Sequence, residues 1–205
     1  AAAGAGLSGT GLPTRCPRQA TMLLVEGAAP EQVDKVLYDF GMPMGPFQMG
    51  DLAGLDVSDK SRKDRDPATL EQRAIIVPNR QVEMRRHGQK TSAGYYDYDA
   101  GDRTPKPSAI TAEQAARAAA ELGITPRRIS DQEILERCFF AMVNIGAEIL
   151  REGIAYRSCD IDIVYINGYG FPIYRGGPMF WSENEVGLKA VLDGVRGYAK
   201  QCGER

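Results

Sequence analysis

The sequence predicts an all-α fold, two similar helical units packed as a pseudo-two-fold pair. Two observations carry the helical class. Apolar residues recur at three- and four-residue spacing through most of the chain, and the one alternating run, "SCDIDIVYINGYGF", places Asp160 and Asp162 where a strand disfavours them. A third predicts the pairing: Glu26-Gly27, Asp34, Gly41, Pro43, Gly45-Pro46 and Leu55 recur in the same order as Glu152-Gly153, Asp162, Gly170, Pro172, Gly177-Pro178 and Leu188. Two such units, each with an incomplete core, can bury their faces against each other as a symmetric dimer does.

The elements follow in order. Residues 1–17, "AAAGAGLSGTGLPTRCP", are small and glycine-rich with two prolines, and are expected to form an irregular tail. A first helical domain is expected over 18–98. It opens with two amphipathic helices, one carrying Met22, Leu23 and Val25, the other started by Pro30 and Glu31 and stopped at Gly41. A short helix from Pro46, a break at Gly54 and a charged helix follow, and the next helix is expected to break at Pro78. Tyr95, Tyr96 and Tyr98 form an aromatic clasp before a linker over 99–110. The second helical domain is expected over 111–205, starting with a helix capped by Thr111 and ended by Gly123. A long helix is capped by Ser130, with Glu133 three residues later as a capping box. Ile134, Cys138, Phe139, Met142, Ala147, Ile149 and Leu150 give it a wide apolar face. The last helix is expected to turn Val186, Val191, Leu192 and Tyr198 inward.

Between the last two helices lies "GYGFPIYRGGPMFW", of which "GMPMGPFQMGDLAGL" at 41–55 is a weaker copy. Glycines give the backbone turns, prolines stiffen them, and Phe171, Tyr174, Phe180 and Trp181 supply large anchors. A rigid apolar loop of this kind is read as a packing device between the halves.

Composition excludes several classes. Hydrophobic residues at 43% and charged residues at 25% are ordinary for a globular protein, and no apolar run reaches the roughly 18 residues of a membrane span. With 25 basic and 27 acidic residues the net charge is -2, so no basic field for nucleic acid exists. Four scattered cysteines and a single histidine suggest no metal site and no disulfide framework, hence reduced thiols in an intracellular protein. His87, in "EMRRHGQK", reads as a solvated residue near a helix end rather than a general base. No G-x-G-x-x-G follows a strand pattern, so the chain has no Rossmann domain or phosphate cradle in view.

Three stretches carry a family resemblance. "EGAAPEQVDKVLYDFGMPMGPFQMGDLAGLDV" resembles the core of the C-terminal domain of 3-hydroxyacyl-CoA dehydrogenases, and "GQKTSAGYYDYD" resembles the segment closing that domain. "NGYGFPIYRGGPMFW" is similar to the second copy found in multifunctional fatty-acid oxidation proteins. The resemblance covers about residues 20 to 203. It implies an all-helical region that follows an NAD-binding Rossmann domain and, in multifunctional members, an enoyl-CoA hydratase domain. In the family the hydroxyl is oxidised by hydride transfer to NAD while a His held by a Glu removes the proton. Those groups lie in the Rossmann part, so no catalytic residue carries over and NAD is expected to bind a domain outside this chain. The family's Asn-Arg pair at the start of the helical region falls on Thr10 and Gly11, and its acid after Asn144 is replaced by Ile145.

The resemblance also implies that "GMPMGPF" faces the acyl chain, making Met42, Met44, Gly45, Pro46 and Phe47 the expected substrate contacts. Met42, Met44 and Phe47 offer adaptable apolar surface; the alternative is that they fill the core. The expected function is the C-terminal part of an NAD-dependent 3-hydroxyacyl-CoA dehydrogenase of β-oxidation, shaping the acyl-CoA site and inactive alone. Its expected partners are acyl-CoA and the Rossmann and hydratase domains of the parent. A stand-alone scaffold module is the alternative. The expected compartment is the cytoplasm for a bacterial parent, and the peroxisome or mitochondrion for a eukaryotic one.

Overall fold

The computed structural model of the chain describes residues 15–63, 66 and 70–202. Ten α-helices are found among the described residues. The first five are α1 (Arg15–Glu26), α2 (Pro30–Phe40), α3 (Pro46–Ala53), α4 (Leu55–Lys63) and α5 (Gln72–Glu83). The strands β1 (Tyr96–Asp97) and β2 (Lys106–Pro107) follow, and then α6 (Ala109–Glu121), α7 (Asp131–Arg151), α8 (Ser158–Tyr169), α9 (Pro178–Trp181) and α10 (Leu188–Cys202). The all-α class is as expected, since β1 and β2 form only a two-stranded antiparallel pair with Tyr96 opposite Pro107. No described helix is long and apolar enough to cross a membrane.

Two compact units are present, and they do not coincide with the sequence halves. One gathers residues 20–38 and 44–134; the other gathers 15–19, 39–43 and 135–202. In the first unit α5 packs against α4 and α6. Pro78 does not break α5, which runs on through it to Glu83. The ring is buried between Val77 and Gln81 on the packed face, where tertiary burial offsets the lost amide hydrogen bond. Nor is Thr111 a cap. The first turn of α6 begins earlier, at Ala109, and buried Thr111 donates its hydroxyl to the Tyr95 carbonyl at 2.9 Å. The stretch expected as a linker carries β2, which holds it against the tyrosine segment.

In the second unit nearly every turn of α7 is buried, because Phe140, Val143 and Ile145 add to the expected face formed by Cys138, Phe139, Met142 and Ile149. Ala147 is exposed instead. The Ser130 hydroxyl, in the first unit, accepts from the Glu133 amide at 3.2 Å as a cap, while the Glu133 carboxylate pairs with Arg127. Along α10 Val191 is buried but Leu192 is exposed, since Val195 and Tyr198, not Leu192, share the inner face at i+4 and i+7. The first helix starts at Arg15, with Pro17 in its first turn where a missing amide costs little. Thr10 and Gly11 lie outside the described residues.

Candidate functional site

The start of α3 is organised by one carboxylate. Asp34, on α2, is 2% exposed; its Oδ1 accepts the Phe47 amide at 2.9 Å and its Oδ2 accepts the Gln48 amide at 2.9 Å. Both amides belong to the first turn of α3, whose leading N–H groups have no partner within the helix. A negative charge there also meets the positive end of the helix dipole. Gly45 precedes the helix, and a Cβ at that position would overlap the Asp34 carboxylate, so the close approach needs glycine. Pro46 then starts the helix with φ preset and no amide to satisfy.

The second unit repeats this device. Asp162 Oδ1 accepts the Met179 amide at 2.7 Å and Oδ2 the Phe180 amide at 3.2 Å, in the first turn of α9. Gly177 approaches Asp162 as Gly45 approaches Asp34. Gly54, at φ 96 and ψ 123, ends the first copy's helix, and Gly187, at φ 91 and ψ 127, ends the second's. The sequence repeat is therefore a repeat of conformation, down to left-handed residues that favour glycine.

The copies differ in what closes them. In the first, Asp51, 1% exposed, accepts the Tyr95 amide at 2.8 Å and, at 2.9 Å each, the Tyr96 amide and the Tyr98 hydroxyl. The Tyr96 hydroxyl donates at 2.9 Å to Asp34 Oδ2, and the Tyr95 ring packs edge-on against Phe47 at 4.7 Å. Arg86, 7% exposed, donates to the Gly94 carbonyl, to Asp97 and to Ser108, each at 2.8 Å. Burial pushes the Asp34 carboxyl up to about 6, against the pull of its three donors. Burial likewise raises Asp51 and Asp162. The Tyr96 and Tyr98 hydroxyls are held neutral, chiefly by burial and then by the neighbouring carboxylates.

The five residues expected to meet the acyl chain do not share one environment. Phe47 is 2% exposed and fills the core of the first unit. Gly45 is buried on Asp34, whereas Met44 and Pro46 stay half-exposed. Met42 is buried in the second unit. Of the expected packing residues, Phe171 and Trp181 are buried in a ring cluster, with Trp181 5.4 Å from Phe40 and 5.5 Å from Phe139. Phe180 is exposed, against expectation, because its neighbour Trp181 takes the inner face of the single turn of α9. Tyr174 is exposed too, its hydroxyl donating to the Phe40 carbonyl at 3.1 Å. His87 is half-buried and serves through its backbone, its carbonyl accepting the Leu55 amide. Asp51 and Arg86 were not singled out by the sequence. An acid inside the apolar run "FQMGDLAGL" was the available signal for Asp51; Arg86 had none.

Residues 12–98 match the family described as 3-hydroxyacyl-CoA dehydrogenase, C-terminal domain. This part of the chain belongs to the 3-hydroxyacyl-CoA dehydrogenase C-terminal domain family. Over 193 residues the chain is 45% identical to the peroxisomal bifunctional enzyme of Danio rerio, a match covering 88% of this chain and 27% of that protein. With the peroxisomal bifunctional enzyme of Homo sapiens it shares 43% over 196 residues, 89% of this chain and again 27% of the relative. The chain thus spans little more than a quarter of these relatives' length. In structure it is similar to the dehydrogenase part of multifunctional enzyme 1 from C. elegans, with a TM-score of 0.74 and 28% identity, over 95% of this chain and 43% of that one. A 3-hydroxybutyryl-CoA dehydrogenase from Escherichia coli shares the fold at a TM-score of 0.64 and 20% identity, over 92% of this chain and 55% of that one. Among the described residues the strands are β1 and β2 alone, and no glycine-rich turn leads from a strand into a helix, the arrangement that cradles a dinucleotide.

Proposed function

We propose that the chain is the helical C-terminal part of an NAD-dependent 3-hydroxyacyl-CoA dehydrogenase within a multifunctional β-oxidation enzyme, where it shapes the acyl-CoA site and has no activity alone. The observation that carries this reading is the structural likeness to the dehydrogenase part of a multifunctional enzyme, which extends over 95% of this chain and so takes in both copies. Within the loop, Met44 and Pro46 are the half-exposed apolar surface offered to the acyl chain, and Gly45 and Phe47 hold them there. The Rossmann and hydratase domains of the parent supply the nucleotide site and the other activity. The peroxisomal names of the two curated relatives favour a peroxisomal home over a bacterial cytoplasm.

The pure chain, given 3-hydroxybutyryl-CoA and NAD, is expected to produce no NADH. Turnover above background would overturn the inactivity. The scaffold alternative is separated by the mass of the natural gene product. A cellular protein of 22.4 kDa would favour a stand-alone module, and a severalfold larger one the dehydrogenase.

A further inference from the structure

We propose that Asp34 and Tyr96 are positioning residues for the substrate loop, tying the tyrosine segment to the first turn of α3 so that Met44 and Pro46 are held in one conformation. The inference rests on the reading that this loop meets the acyl chain. Its geometry does not. Asp34 holds three donors with two oxygens: the Phe47 and Gln48 amides, which fix where α3 begins, and the Tyr96 hydroxyl, which comes from 62 residues further along the chain. Tyr96 is itself anchored, its amide on Asp51 at 2.9 Å and its strand paired with β2. The segment that closes the domain is thereby connected through one hydroxyl to the carboxylate that sets the loop.

The second copy isolates what Tyr96 adds. Asp162 makes the same two amide bonds at Met179 and Phe180. Two amides therefore suffice to cap the helix, and the third bond of the first copy is an addition to the shared device. Its location, beside the loop whose residues face the acyl chain and absent from the copy that packs Trp181 into a core, points to a positioning role.

Tyr96→Phe removes the hydroxyl and keeps the ring. In the intact chain, amide hydrogen exchange at Phe47 and Gln48 is expected to rise on the order of tenfold, as for loss of one hydrogen bond to a charged group, with Met179 and Phe180 unchanged as an internal reference. No change at any of the four amides would overturn the proposal, and so would an equal rise at all four, which reports general loosening. Tyr96→Leu, which also lacks the hydroxyl and leaves Asp34 and its two amides in place, provides a second variant with the same expected pattern should Tyr96→Phe not fold. In the longer dehydrogenase carrying this chain, Tyr96→Phe is expected to raise KM for a long-chain 3-hydroxyacyl-CoA about tenfold with kcat unchanged. Faster exchange without a change in KM would keep the connection between Tyr96 and the loop while removing the substrate from it; faster exchange with raised KM supports both.

Discussion

Asp34 is surrounded by donors and removed from water, and these two facts oppose each other. Burial prevails, lifting its carboxyl from the ordinary 3.8 to about 6. The folded chain thus binds this proton more tightly than the unfolded chain does. The resulting stability is fully present below about pH 3.8 and is lost as the pH rises through about 6, a difference of about 3 kcal/mol at 1.36 kcal/mol per unit. Urea unfolding of the native chain and of Asp34→Asn between pH 4 and 7 is expected to show the native advantage shrinking by about that amount. A difference that stays flat with pH would contradict it. At this scale the sequence was informative only where an acid recurred. Asp34 stood out as the counterpart of Asp162, but its partners did not, because Tyr96 lies 62 residues away and nothing in local spacing announces a bond of that reach. Arg86 is the harder case. Buried arginines are identified by the carbonyls and acids around them, and a run such as "EMRRHG" reads as a solvated end.

The unit that repeats is an element, an acid on one helix capping the next through a Gly-Pro step. It was legible because glycine and proline mark backbone positions few residues can fill, so the landmarks survive while side chains change. Its variation was less so. Gly54 follows Pro46 by eight residues and Gly187 follows Pro178 by nine. The extra residue is absorbed as the π-helical turn Ser182–Val186, the usual accommodation for a single insertion in a helix. In the aromatic loop before it Trp181 and Phe171 are buried, but the four anchors could not be sorted into inner and outer faces when α9 is one turn long. Trp181, 3% exposed among Phe40, Phe139 and Phe140, is expected to emit at blue-shifted wavelength. In a chain that starts at residue 107 and lacks Phe40 the emission is expected to shift red, and removing the ring by Trp181→Ala is expected to cost about 3 to 5 kcal/mol in chemical unfolding. Solvent-like emission from the native chain, or emission unaffected by the truncation, would contradict the packing of Trp181 on Phe40.

For the whole molecule, the helical class and the repeat were legible from periodicity and landmarks, whereas the compact units were not. Sequence halves suggested a division near residue 110, yet α6 packs with α5 and belongs with residues 44–134, since Thr111 and Gln81 share a buried hydrogen bond at 2.9 Å. Compactness follows such distant contacts, and a repeat alone does not encode them. The central claim, that the Met44 loop shapes the acyl site of a dehydrogenase, is tested most directly in the longer enzyme with Met44→Glu, by measuring KM against acyl-chain length. A carboxylate placed on apolar substrate surface is expected to raise KM for long-chain 3-hydroxyacyl-CoA far more than for 3-hydroxybutyryl-CoA. An equal rise at every chain length would contradict the claim and reduce Met44 to a residue that only supports the fold.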